Sequence, residues 1–174
     1  EQQLFAAVVN TLTEFDSIET VSIFLNGCND ITANGSLPPQ KHGKYALNVE
    51  NAEIATSGSA KPLTLYFPNE SGSLMIPITR YAEGSTDLYS CIQQLAAGTE
   101  LRGLRSCFPE NTLVLGAVIE NGILTVNLSS DFETVANDAG LLNLATQSVL
   151  LTALPYGSIN EVHFAVNGIP LKID

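Results

Sequence analysis

Apolar residues recur at helical spacing near the start of the chain. Val8, Val9, Leu12 and Phe15 predict an amphipathic helix over residues 3–14, ended by Asp16-Ser17. Ile18, Val21, Ile23 and Leu25 then alternate as a short strand, and Asn26-Gly27 favours the positive φ of a turn. The same series returns near the end. Val149, Leu150, Leu151, Ala153 and Leu154 predict a helix that is apolar on most sides and hence largely buried. Leu144, Gln147, Ser148 and Leu151 mark its turns less cleanly. Gly157-Ser158 ends it, and Ile159, Val162, Phe164 and Val166 form the matching strand. Residues 6–27 align without gaps to residues 147–168, with identities at Val8/Val149, Thr11/Thr152, Ser17/Ser158, Ile18/Ile159, Val21/Val162, Asn26/Asn167 and Gly27/Gly168. A matched helix, turn, strand and closing Asn-Gly is an internal repeat.

The second copy also has what precedes such a helix. Leu63, Leu65 and Phe67 alternate over residues 62–67 as a strand. Pro68-Asn69-Glu70-Ser71-Gly72 is a turn, and residues 74–80 are a second strand, where Pro77 points to a sheet edge or a bulge. Gly84-Ser85-Thr86-Asp87 offers an N-cap hydroxyl to a helix over 87–97. That helix carries Leu88, Cys91, Ile92 and Leu95 on one face and ends at Gly98. Residues 112–119 and 123–128 are strands joined by Glu120-Asn121-Gly122, a hairpin signal. The expected core joins Leu63, Leu65, Leu88, Cys91, Leu95, Leu113, Leu115, Val149, Leu150, Val162, Phe164 and Val166. The order β-β-α-β-β-α-β does not alternate strand and helix one for one. It predicts an α+β two-layer sandwich, a mixed or antiparallel sheet with two helices on one face, and excludes a doubly wound parallel sheet. Three regions follow: residues 1–27, the closing helix and strand of a first copy; 28–60, a linker with a short strand near 45–49; and 61–174, a complete copy. A lone helix and strand cannot close a two-layer core. Residues 3–27 are therefore expected to be ordered by packing on the linker, on the complete copy or on a second molecule, with Phe24 marking a contact.

Composition narrows the function. The net charge is −11, with seven Lys and Arg that form no patch, which argues against nucleic acid and anionic lipid. No run of 18 apolar residues and no signal peptide is visible. If the protein is exported or anchored, the anchor is expected to lie outside these residues. Three cysteines, Cys28, Cys91 and Cys107, lack the spacing of a zinc site. Cys91 falls on an apolar helix face, and whether it is bridged to Cys107 stays open.

The sequence offers few catalytic candidates. There is no G-x-S-x-G. His163 lies mid-strand on the face opposite Val162 and Phe164, its repeat partner is Ser22, and a packing or surface role suffices. His42 lies in a polar linker. Asp131, Glu133 and Asp138 cluster in one loop, and Glu14, Asp16 and Glu19 in the other copy, without the periodicity and closing Glu of a calcium loop. The expectation is no catalytic residue, no metal site and no cofactor.

The motifs resemble a family. Leu65-Tyr66-Phe67-Pro68 and Pro77-Ile78-Thr79-Arg80 are similar to the L-Y-F and P-V-T-R strands of GerMN domains. Gly103-Leu104-Arg105-Ser106 through Pro109 to Thr112 is similar to their G-L-x-S-x-x-P-x-x-T segment. Gly122 through Val126, Ser129 and Phe132 follow their hairpin pattern, and Val162 through Gly168 their V-x-F-x-V-N-G ending. Thr11 to Phe15 also matches, and residues 45–50 echo a G-I-N-L-E-like stretch between copies. The resemblance covers residues 3–27 and about 61–172. It implies a fold similar to the ring-building motif and no catalytic residues. It also implies a structural role in sporulation or spore germination, outside the cytoplasmic membrane of a spore-forming bacterium and in contact with other protein subunits of an envelope assembly. Self-association through residues 3–27 and, as an alternative function, binding of cell-wall polymer or a small ligand are the other expectations.

Overall fold

The computed structural model describes residues 2–15, 17–25, 28–29, 31–32, 35–36 and 42–171. The expected turn at Asn26-Gly27 and Asp16 at the helix end lie outside them. The chain forms two compact units, Glu1–Ala46 and Leu47–Asp174.

The first unit holds helix α1 (Gln2–Leu12). Two antiparallel pairs of two-residue strands follow: β1 (Phe24–Leu25) with β2 (Cys28–Asn29), and β3 (Ile31–Thr32) with β4 (Gly35–Ser36). The helix is ordered against the linker, as one of the expected options has it. Asn10 is buried, accepts from the Tyr45 amide at 2.7 Å and donates to the Tyr45 carbonyl at 3.1 Å. Val21 and His42 exchange two backbone hydrogen bonds of 2.9 Å.

The second unit contains β5 (Val49–Glu50), β6 (Lys61–Pro68), β7 (Met75–Ala82) and α2 (Leu88–Ala96). After them come β8 (Val114–Glu120), β9 (Ile123–Leu128), the short α3 (Glu133–Ala136), α4 (Ala139–Ala153), β10 (Glu161–Val166) and β11 (Ile169–Pro170). The α+β class and mixed pairing are as expected. The strands divide between two sheets, ordered β5-β7-β6 and β11-β10-β9-β8. In the second sheet β9 and β10 are parallel, joined through α4, and the other neighbours are antiparallel.

Local chemistry sets the ends. The Asp87 carboxylate, itself bonded by Ser85, caps α2 through the Ser90 amide at 2.8 Å, so the cap is a carboxylate and not the expected hydroxyl. Gly98 closes α2 at φ +79°. Asp138 accepts from the Gly140 and Leu141 amides and starts α4. Asn121 and Gly122 both take positive φ in the β8–β9 turn.

Pro77 lies in the middle strand of its sheet, at a site that asks nothing of its missing N–H. Its partner Tyr66 turns its own N–H and C=O away from β7, to Thr152 and Ser148, so the pair is one that exchanges no ladder bonds. Pro77 also lies beyond the reach of β5, which pairs only with Thr79 and Arg80, and its carbonyl accepts from Asn48 at 2.8 Å.

One core bridges both sheets, α2 and α4, with Phe67, Phe132 and Phe164 among its fully buried side chains. Phe132 lies between Phe108 and Phe164, at centroid distances of 5.6 and 4.9 Å. Of the expected core, Leu88 and Leu150 pack at its margin, and two residues are misplaced: Leu113 and Leu115 are exposed, and Val114 points inward. A register shift between Val114 and Gly116 makes Leu115 the extra residue of a bulge, so simple alternation from Leu113 has the wrong phase.

Residues 47–60 also depart from the linker expected over 28–60. They belong to the second unit, because the chain from Leu47 to Asn51 runs beside β7 and bonds to it.

Candidate functional site

The P-I-T-R strand and the segment before residue 51 meet in space. Thr79 donates its amide to the Leu47 carbonyl at 2.8 Å, and its hydroxyl accepts from the Leu47 amide at 3.1 Å. Asn51 brackets Tyr81, accepting from its amide and donating to its carbonyl. Asn48 and Asn51 both take positive φ, which suits asparagine. The strand β5 so positioned puts Glu50 beside Arg80.

Arg80 is buried and fully engaged. Its Nε and Nη2 donate to Glu50 Oε2, Nη1 to the Gln94 carbonyl and Nη2 to the Gly98 carbonyl. The last two acceptors lie at the C-terminal end of α2, where a cation also complements the helix dipole. The other oxygen of Glu50 accepts from Thr99 Oγ1 at 2.7 Å and the Glu100 amide at 2.9 Å. Burial works to raise the Glu50 carboxyl. The hydrogen bonds from Thr99, Glu100 and Arg80, with the guanidinium charge, outweigh it and hold the group below its ordinary value. This cluster lines a polar groove of about 420 Å³ with Asn51, Glu53 and Gln94. Every strong donor of Arg80 is committed to the protein, so the cluster acts as a clamp tying residues 47–51 to β7 and α2. Sequence reasoning placed Glu50 in a linker. The signal for it was the G-I-N-L-E-like echo at residues 45–50.

The other family motifs are equally architectural. Leu104 bridges to Asn69, the Glu70 amide bonds to Gly103, and the Arg105 amide to Pro68. Ser106 folds its own loop through Phe108, accepting its amide and donating to its carbonyl. Asn167 and Gly168 form the β10–β11 turn at positive φ, and the Gly168 amide bonds to Asn127.

The candidate catalytic residues are spread apart. His163 lies on the outer face of β10 and meets Glu161 at 2.8 Å. His42 bonds to the Tyr45 hydroxyl at 2.6 Å in the first unit. Cys91 and Cys107 are unbridged and buried. Burial raises both thiols, against weaker hydrogen bonds from Tyr156 and Ser148, and pushes Cys107 up to about 11. Such thiols are not nucleophiles at neutral pH. Asp131 accepts from Ser129, and Asp138 is spent as a helix cap. Among the described residues no three His, Cys, Asp or Glu side chains gather as a metal would require, and no helix is long and apolar enough to cross a membrane.

The scaffold has known relatives. The chain is 28% identical over 183 residues to the spore germination protein GerM of Bacillus subtilis (strain 168), covering 97% of this chain and 49% of that protein. It thus spans about half the length of that relative. Among solved structures, the tandem GerMN domains of the sporulation protein GerM from Bacillus subtilis match at a TM-score of 0.72 and 26% identity, over 97% of this chain and 62% of that one. The first GerMN domain of the same protein matches at a TM-score of 0.51 and 23% identity, over 64% and 86% of the two chains, a likeness of fold. The family of sporulation and spore germination domains called Germane matches residues 64–172, and the chain belongs to that family.

Proposed function

We propose that the chain is a non-catalytic structural module, acting in sporulation or spore germination on the outer side of the cytoplasmic membrane as part of a membrane-anchored protein. It works through contacts with other protein subunits of an envelope assembly. One observation carries this reading: the motif residues that mark the family are consumed by internal contacts, Arg80 with Glu50, Gln94 and Gly98 above all. Polar groups that catalyse are held beside a space the substrate can enter, with capacity left to bind it. Here that capacity is satisfied within the fold, and surface shape is what remains to be recognised. Kinship with GerM supports the biological setting.

The test places a photoactivatable cross-linking residue at exposed positions of the full-length protein in sporulating cells. Discrete adducts with one or two envelope proteins are expected. An absence of adducts from all positions, together with hydrolysis of cell-wall polymer by the purified protein, overturns the reading.

A further inference from the structure

Four asparagines precede a glycine, at Asn26-Gly27, Asn34-Gly35, Asn121-Gly122 and Asn167-Gly168. Such a pair is chemically labile, because glycine has no side chain to keep its backbone nitrogen from the asparagine carboxamide. Asn26, Gly27 and Asn34 lie outside the described residues. The other two pairs form the β8–β9 and β10–β11 turns, and they are closely matched. Both asparagines are exposed. Asn121 and Gly122 take φ of +53° and +81°, Asn167 and Gly168 of +49° and +82°. An isoleucine follows each pair.

The pairs differ at the nitrogen that reacts. The Gly168 amide donates to Asn127 Oδ1 at 2.8 Å. The Gly122 amide donates to no group among the described residues, and only the Gly122 carbonyl is held, by the Asn160 and Glu161 amides at 2.8 and 3.3 Å. A backbone amide must shed its proton before it attacks, and a committed hydrogen bond must break first. We infer that Asn121 is a self-modification site, converted to aspartate and isoaspartate by its own chain, and that Asn127 protects Asn167 from the same reaction.

The deprotonated Gly122 nitrogen attacks Asn121 Cγ. A bond forms between them, the Cγ–Nδ2 bond breaks, and Nδ2 leaves as ammonia, with the proton that Gly122 gave up returned through solvent. Water then opens the cyclic imide. Opening at Cγ gives aspartate. Opening at the main-chain carbonyl gives isoaspartate, in which the backbone runs through Cβ and Cγ and the turn is longer by a methylene. No oxidant, reductant or cofactor is required. The two-residue turn fixes Glu120 opposite Ile123, so lengthening it works against that pairing. Either product adds a carboxylate beside Glu120 in a chain of net charge −11. Because the Gly122 carbonyl also anchors the start of β10, ageing at this residue loosens the joint of three strands.

The test holds the folded full chain in warm, mildly alkaline buffer. Peptide mass mapping follows each asparagine, and enzymatic methylation measures isoaspartate. Asn121 is expected to be modified about fivefold faster than Asn167, the ratio that one committed hydrogen bond supports. In urea, with the fold removed, the two rates should converge. Asn127→Ala, checked for an unchanged melt, is expected to speed Asn167 about fivefold and leave Asn121 as it was. Asn127→Asp keeps an acceptor for the Gly168 amide and should keep Asn167 slow. Equal rates at Asn121 and Asn167 in the folded chain overturn the assignment. So does a difference that persists in urea, or an Asn121 that stays intact in the folded chain while it reacts in urea. An Asn167 rate indifferent to Asn127→Ala overturns the protecting role.

Discussion

Helices α1 and α4 carry the two copies of one sequence pattern, and they meet different surroundings. Val149 of α4 is fully buried, and its counterpart Val8 in α1 is 39% exposed. Thr152 closes the β6 edge, whereas Thr11 turns its hydroxyl back to the Ala7 carbonyl of its own helix. Phe164 is buried beside Phe132, and its counterpart Ile23 is only partly buried. The difference teaches that apolar spacing specifies a helix and the face it wants to bury, and that burial itself is supplied by neighbours. In the second unit β6, β10 and α2 supply it. In the first unit Val9 of α1 is also fully buried, and the contacts seen among the described residues are polar and few: Asn10 with Tyr45, Val21 with His42 and Glu14 with Lys44.

The largest expected effect is at the aromatic pair. Phe164→Ala removes a fully enclosed ring and is expected to cost about 3–5 kcal/mol, against less than about 1.5 for Ile23→Ala at the equivalent position. The chain has no tryptophan, so urea unfolding is followed by circular dichroism. Equal losses at the two sites would break the comparison.

The elements were largely legible in the sequence because most helices and strands carry clean periodicity, and Asn121-Gly122 and Gly98 punctuate them. Three features were not, for reasons that lie off any one element. The bulge at Leu115 changes the phase of β8, and no local residue type announces it. Ser148 and Thr152 read as blemishes on an apolar helix, yet they are buried because they complete a sheet edge far away in sequence. Glu50 reads as part of a polar linker, since its partner Arg80 is thirty residues on. Leu113 and Leu115 look like core until the bulge turns them outward.

The clamp gives the next effect. Glu50→Gln leaves the Arg80 guanidinium buried without its counter-charge and is expected to cost about 3 kcal/mol. Because the folded carboxyl titrates below its ordinary value, its contribution is complete above about pH 4.3, the unfolded value, and is lost as pH falls through the lower folded value. Glu50→Gln should therefore also flatten the acid limb of a stability–pH curve, and an unchanged limb would remove Glu50 from that account. A smaller loss, about 2 kcal/mol, is expected for Thr152→Val, which strands the Tyr66 amide in the core. Thr11→Val, with no such amide to strand, should change stability by less than about 0.5 kcal/mol.

The smallest effect sharpens the comparison at its charged groups. The first unit has its own ion pair, Lys44 with Glu14, joining the residues just past α1 to the strip that ends the unit. It differs from the clamp in one respect that decides its worth: both side chains are more than half exposed, whereas Arg80 and Glu50 are nearly enclosed. Water and salt screen the exposed pair, and holding two long side chains together costs rotamer entropy. Lys44→Met is therefore expected to lower stability by less than about 0.5 kcal/mol, and that small loss should vanish in high salt, where the Debye length shrinks to roughly 3 Å. The Glu50→Gln loss should survive the same salt, since its partners are shielded from solvent. If Lys44→Met costs as much as Glu50→Gln, and keeps that cost in salt, then the residues after α1 are packed as tightly as the second unit. The contrast between the two copies would then fail at its weakest joint.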